Sequence, residues 1–237
     1  MYRLITYNLH SGVGRDGIQD YARIGRFLVE QDADFVLLQE MDTRAAERDV
    51  NDDISAICAD GKYMLIPAPT VTTRHGWYGN AILTRHPVLH RQQFNISVPR
   101  REPRTLQHVV VTLDKQPLSL LNAHLGLKKK ERAYQARRLH EIMLSISERN
   151  QMPACLGGDM NEWWLNTRLF KRLDQTYHQL RTGRSFPSHL PLFKLDRLWT
   201  SPELRVNHCD RLTDKGYRHY SDHLAVKVDF EINPPTE

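Results

Sequence analysis

No stretch of this 237-residue chain is apolar for the roughly 20 residues that a membrane-spanning helix requires. The first predicted strand starts at Tyr2, which leaves no room for a secretory leader ahead of it. Only three cysteines occur, Cys58, Cys155 and Cys209, scattered and without Cys-x-x-Cys spacing, so neither a disulfide framework nor a thiolate zinc site is expected. There is no Gly/Ser/Pro-rich linker, no internal repeat and no low-complexity tract to divide the sequence. One domain over residues 1–232 is expected, followed by a loose tail at 233–237. Charge of one sign is also lacking: 33 Lys and Arg oppose 28 Asp and Glu, a net of +5, which only tilts the choice of partner toward polyanions. These absences together predict a soluble, cytoplasmic, monomeric protein.

What is present is a series of short apolar runs that end in polar residues. The run Pro153 to Leu156 ends in Gly157-Gly158-Asp159-Met160-Asn161, where the glycines allow a tight turn and close approach of a ligand. Asp159 and Asn161 are expected to project to one side, a carboxylate to orient or deprotonate a water and an amide to donate to a phosphate oxygen. The run Arg3 to Tyr7 leads into Asn8-Leu9-His10, and Asp34 to Leu38 leads into Gln39-Glu40. Paired at neighbouring strand ends, Asn8 and Glu40 are candidate ligands for a hard cation. Leu118 to Leu121 leads into Asn122-Ala123-His124-Leu125, and Lys194 to Trp199 is a strand that carries Asp196 in apolar company. A lone Asp there is costly without a partner. Ser221-Asp222-His223 stands directly before the last strand, Leu224 to Phe230.

Helices are expected where apolar residues recur at helical spacing: 20–31 through Tyr21, Ile24, Phe27 and Leu28; 128–150 through Ala136, Leu139, Ile142, Met143 and Ile146; and a third from Trp163-Trp164 to about Leu173. One of those two tryptophans is expected in the core and the other beside the substrate cleft. The first half of the 128–150 helix is loaded with basic residues, Lys128, Lys129, Lys130, Arg132, Arg137 and Arg138, either as a solvated face or as a phosphate-attracting rim. The apolar, proline-broken stretch Ser185 to Phe193 precedes the Asp196 strand and is expected on the rim of the cleft. It reads as a folded-down satellite core, a lipid-facing rim or a wedge against bases. A dinucleotide-binding reading of Gly12-Val13-Gly14-Arg15-Asp16-Gly17 fits the spacing, but Asn8, His10 and Ser11 separate the strand from the first glycine, where that fingerprint requires a tight turn. Short strands with few helices between them point to mixed sheets packed face to face with helices outside.

Taken in order, the motifs Tyr7-Asn8-Leu9-His10, Leu38-Gln39-Glu40, Gly79-Asn80-Ala81-Ile82-Leu83, Asn122-Ala123-His124-Leu125, Gly157 to Asn161, Leu195 to Trp199 and Ser221-Asp222-His223 resemble the endonuclease/exonuclease/phosphatase superfamily of metal-dependent phosphoester hydrolases. Pro187 to Leu198 and Tyr217 to His223 look especially similar to its small bacterial YbhP-type members. The resemblance implies an α+β fold, a four-layer α/β/β/α sandwich of two mixed sheets with helices on both outer sides. It implies magnesium, with manganese as a substitute, held by Glu40, Asn8 and Asp222. It makes Asp159 the group that activates water, Asn161 and His124 phosphate donors, and Asp196 the orienter of His223; Asn122 and Arg104 are expected at the substrate. The predicted reaction is phosphodiester hydrolysis with nucleic acid marginally favoured. Phospholipid phosphodiesterase and small-molecule phosphatase are the alternatives within the fold, peripheral membrane contact is compatible with them, and a non-catalytic polyanion-binding module is the alternative outside it.

Overall fold

The apolar runs near the start become β1 (Tyr2–Asn8) and β2 (Phe35–Asp42), parallel neighbours joined by α1 (Tyr21–Glu30) in this computed structural model, which describes residues 1–150, 152–214 and 216–233. Asp20 caps α1 by accepting the Arg23 amide N–H, and Tyr21, Ile24, Phe27 and Leu28 turn toward the sheet. The short helix α2 (Val50–Ile57) packs beside α1, and the hairpin of β3 (Met64–Thr72) and β4 (Trp77–Thr84) extends the sheet from β2. The chain then leaves for a second sheet through β5 (Val88–Asn95), β6 (Thr105–Leu113) and β7 (Gln116–His124). Helix α3 (Lys129–Asn150) crosses over to β8 (Ala154–Asp159), which lies parallel to β7. After α4 (Lys171–Thr176) come β9 (His178–Gln179) and β10 (Asp196–Thr200), and the last pair, β11 (Leu204–Arg211) and β12 (Val226–Ile232), returns to the first sheet.

Each sheet has six strands, ordered β11-β12-β1-β2-β4-β3 and β5-β6-β7-β8-β10-β9, with one parallel pair at the centre of each and antiparallel pairing elsewhere. Alternation along the strands sorts the side chains into three apolar layers. Leu4, Phe35, Leu37 and Val228 of the first sheet meet Val109, Leu120 and Leu198 of the second. Ile5, Tyr7, Val36 and Leu38 point the other way, against α1 and α2, while Leu121, Leu156 and Trp199 face α3 and α4. Both faces of the central strands are covered, and for that reason they read as continuous apolar runs. The result is the expected α/β/β/α sandwich. The glycine-rich turn after β1 does lead into a βαβ unit, but antiparallel strands flank that unit on both sides, so no doubly wound sheet forms.

Two local expectations are corrected. The helix expected from Trp163 forms only at 171–176, and Trp163 and Trp164 sit on an irregular loop, 38% and 73% exposed, so neither belongs to the core. The two glycines of β8 serve strand packing rather than close approach of a ligand. A Cβ at Gly157 would stand 2.5 Å from Cδ2 of Leu198 on the neighbouring strand and 2.8 Å from Cδ1 of Leu37 on the opposite sheet, and at Gly158 (φ 145°) 1.8 Å from the Ala123 carbonyl oxygen of β7. Of the predicted tail, residues 234–237 lie outside the described residues.

Candidate functional site

The parallel register of β1 with β2 and of β7 with β8 brings the C-terminal ends of all four strands to the same end of the sandwich, where β10 begins. Asn8, Glu40, His124 and Asp159 stand at those ends, and Asp159 lies opposite Asp196 in the β8–β10 ladder. The pairing of β2 with β4 is irregular between Leu38 and Met41, and Glu40 takes a left-handed conformation (φ 57°). Such a bulge re-aims a side chain, at a backbone cost of about 1–3 kcal/mol for a residue that is not glycine. It turns the Glu40 carboxylate toward Asp159. Asn161 is also left-handed (φ 47°), so the chain is no longer extended there; its backbone N–H donates to Asp159 Oδ1 at 2.8 Å.

Asn8 sits between the two acids. Its Nδ2 donates to Glu40 Oε1 and to Asp159 Oδ2, both at 3.0 Å, while its Oδ1 accepts the His10 amide N–H. Asn8, expected as a metal ligand, here holds the two carboxylates through its amide N–H groups. Glu40, His124 and Asp159 each present a ligand-type atom, all within 4.8 Å of one another. Two carboxylates aimed at one point are costly without a cation, and their hard oxygens fit a magnesium-class ion, which takes one or two carboxylates and keeps its remaining positions for water and phosphate. Asp222, the third expected ligand, is turned toward His10 Nδ1 at 3.5 Å.

His223 Nδ1 is 2.8 Å from Asp196 Oδ2, and its Nε2 is 3.6 Å from Asp159 Oδ2. Burial disfavours charge on this ring, but the Asp196 and Asp159 carboxylates outweigh burial and raise its pKa to about 10. The lone buried acid of β10 thus has its partner. Burial pushes the Asp159 carboxyl upward, with Asp196 adding to it, against the opposing pull of His223. His124 behaves oppositely. Its Nδ1 faces Arg104 Nη1 at 3.3 Å, and its Nε2 faces Asn161 Nδ2 at 3.0 Å with Asp159 Oδ2 at 3.6 Å. Burial, then the Arg104 and His223 charges, hold its pKa well below the usual imidazole value. A neutral ring positions Asn161, whose Nδ2 also donates to the Leu125 carbonyl at 2.8 Å.

Arg104 is buried, gripped bidentately by Glu102 at 3.0 Å, and reaches the cluster through His124. Asn122 does not face it. Fully buried, its Nδ2 donates to the Leu38 and Ala81 carbonyls (2.8 and 3.0 Å) and its Oδ1 accepts Gln39 Nε2 (2.8 Å), so its polar atoms tie one sheet to the other instead of reaching substrate.

Several contributors were not singled out individually in the sequence, although Ser185 and Phe186 belong to the stretch expected on the rim. Ser185 Oγ donates to Asp196 Oδ2, and the Phe186 ring lies 4.9 Å from that of His223. Tyr78 adjoins the site: burial, then the charges of Glu40 and Glu102, raise its hydroxyl pKa. Ser221, which the Ser-Asp-His motif did contain, donates from Oγ to the Asn8 carbonyl at 2.7 Å and accepts the His223 amide at 3.1 Å, fastening that turn to the end of β1.

The chain resembles known proteins over nearly its full length. YbhP of Escherichia coli strain K12 is 26% identical over 165 residues, which cover 66% of this chain and 64% of that relative. The mannosyl-6-phosphatase Bt3783 of Bacteroides thetaiotaomicron superposes with a TM-score of 0.81 at 19% identity, covering 98% of this chain and all of that one. A humanized D. rerio TDP2 gives 0.75 at 17% identity over 97% and 98% of the respective chains. The profile of the endonuclease/exonuclease/phosphatase family matches residues 5–223, from β1 through His223 and so across every member of the cluster, and the chain belongs to that family.

Proposed function

We propose that this protein hydrolyses phosphoesters with a divalent hard cation, by attack of water on a phosphate held at the common strand ends. The observation that carries this reading is the placement of two carboxylates, Glu40 and Asp159, bridged by Asn8 within reach of the His223–Asp196 pair. Glu40 would hold the ion, with Asp159 facing it across Asn8; the ion would neutralise phosphate charge and favour departure of the leaving oxygen. Asp159, fixed by the Asn8 and Asn161 N–H groups, takes the proton of the attacking water. His223, kept cationic by Asp196, donates to the phosphoryl group as negative charge builds there. Asn161, whose amide N–H groups face His124 Nε2 and the Leu125 carbonyl, positions Asp159 through its own backbone N–H. Asp222, at the mouth beside His10, adds negative charge that supports the His223 cation.

A passive polyanion-binding module has no use for a buried, oriented carboxylate–imidazole pair. Monoester hydrolysis is the second reading, favoured by the mannosyl-6-phosphatase that shares the fold. The net charge serves nucleic acid and anionic lipid equally, so the surface around the site has to separate them. The test is magnesium-dependent hydrolysis of bis(p-nitrophenyl) phosphate against p-nitrophenyl phosphate, with and without chelator. Rates on both esters that match the Asp159→Asn variant in every condition would overturn the proposal.

A further inference from the structure

Large apolar side chains are exposed beside the site. Trp164 (73%), Leu127 (62%), Leu190 (59%), Leu165 (46%) and Leu192 (45%) come from three segments. Trp163, Trp164, Leu165, Leu192 and Phe193 line a groove of about 670 Å³, together with Lys129 and Arg168. Contiguous exposure of this kind marks an interaction surface on a soluble domain.

The charges around it are of one sign. Residues 127–130, 163–172 and 184–194 contain no acid, while they carry Lys128, Lys129, Lys130, Arg168, Lys171 and Arg172 in exposed positions. The nearest acid, Glu162, is buried and paired with Arg132 at 3.3 Å. Elsewhere on the chain both signs are interspersed. A partner for this face is therefore anionic at the edge and apolar at the centre.

The face is coupled to the site through stacked rings. Trp163 packs on Phe193 (4.8 Å between centroids) and on Phe186 (5.8 Å), and Phe186 packs on His223 (4.9 Å). Ser188 pins the loop from below, its amide donating to the Asp222 carbonyl (2.7 Å) and its Oγ to the Ser221 carbonyl (2.8 Å). The rim and the catalytic pair thus hold a fixed separation. Two ring contacts place His223 on the order of 10 Å behind the rim, about the depth to which interfacial side chains penetrate a headgroup region.

We infer that this face docks on an anionic lipid surface, with Trp164, Leu165, Leu190 and Leu192 among the acyl-chain ends of the headgroups and the basic residues at the phosphate plane. Resting on the hydrolase reading above, the docking presents phosphates of that surface to the Asp159–His223 site. Aliphatic tips such as Leu165, Leu190 and Leu192 contribute little to stacking on bases, which a single-strand groove relies on. Tryptophan with flanking lysine is the combination that partitions into a bilayer interface.

The experiment is flotation with vesicles of phosphatidylcholine, with or without phosphatidylglycerol, in the presence of chelator so that nothing is hydrolysed. The protein floats with the anionic vesicles, and its tryptophan emission shifts to the blue; Trp77 and Trp199 are buried, so the shift reports Trp163 and Trp164. Trp164→Ser lowers partitioning by roughly tenfold, the loss of one large apolar side chain from the interface. Lys129→Gln lowers it by about fivefold, and added salt weakens it. Leu89→Ser and Ile18→Ser, which remove exposed apolar side chains elsewhere, leave it unchanged. Failure to float at any composition overturns the docking, as does equal sensitivity to Leu89→Ser. Binding of single-stranded oligonucleotide or self-association, lost on Trp164→Ser and unaccompanied by flotation, would assign the face to another occupant and also overturn it. A protein that floats and hydrolyses nothing refutes the hydrolase reading alone; one that hydrolyses soluble esters and never floats refutes the docking alone.

Discussion

Replacing Asp196 by Asn removes one charge from a fully buried position and keeps the side-chain shape. In the wild type the His223 pKa is raised from an ordinary 6.5 to about 10, and those three and a half units correspond to about 5 kcal/mol of support for the imidazolium over the neutral ring. Asp196 supplies the first and closest part of that support, at 2.8 Å, and Asp159 the next, with Nε2 at 3.6 Å. If the ring fell back to its ordinary pKa, only about 3% would be cationic at pH 8, roughly a thirtyfold loss from protonation alone. Asp159 still faces Nε2, so that figure is an upper bound on this component. An Asn that presents its amide N–H to Nδ1 leaves the ring neutral with its one proton on Nε2, so the ring keeps a hydrogen-bond donor but loses the positive charge that it brings to the phosphoryl group. Together these predict a fall in kcat of two to four orders of magnitude, the usual range for a positioned acid, with about the same loss in kcat/KM. The assay is magnesium-dependent hydrolysis of bis(p-nitrophenyl) phosphate from pH 5 to 11. The alkaline limb, near pH 10 in the wild type, moves down in Asp196→Asn. Combined with His223→Ala, the second substitution adds little, because the pair acts as a unit. Multiplicative losses, or an alkaline limb that stays in place, would refute the coupling.

Glu40→Gln removes one of the two carboxylates facing the cation position, and hydrolysis falls by at least about a hundredfold with weaker dependence on magnesium; undiminished turnover in this variant or in excess chelator removes the metal from the mechanism. Asn122→Ala leaves the Gln39 amide and two strand carbonyls without their inter-sheet partner, so urea unfolding reports a loss of about 2–4 kcal/mol; a change below 1 kcal/mol, or about the cost of an exposed substitution, contradicts the clamp. His108, buried against Ser119, has its pKa pushed down to about 4 by burial and then by His90. The unfolded chain takes up this proton first, so the stability it contributes is complete above pH 6.5 and is lost as pH falls toward 4, by about 3 kcal/mol. The acid-induced loss is smaller in His108→Gln by that amount, and identical pH dependence in the two proteins would remove His108 from it.

Elements buried on both faces were the ones written plainly in the sequence. β1, β2 and β8 are apolar throughout because a helix layer covers one side and the opposite sheet the other, and the polar residues that end them mark the site. β5 and β11 show no such run. They are edge strands, mostly exposed, and exist because β6 and β12 offer them hydrogen-bonding partners that local pattern does not encode. The tryptophan pair failed as a helix signal for a related reason: Trp163 is held by Phe186 and Phe193, which come from another segment of the chain.

The sequence by itself marked Glu40, His124, Asp159, Asp196 and His223 as candidates, since they are polar groups beside apolar strands, and desolvated charge is tolerated there only with a partner. Tertiary structure decided what each one faces. What Asn8, His124 and Asn122 face depends on hydrogen-bond partners 20 to 151 residues away along the chain. Strand register sets those partners, and register follows from the packing of both sheets at once, which no local stretch of residues contains.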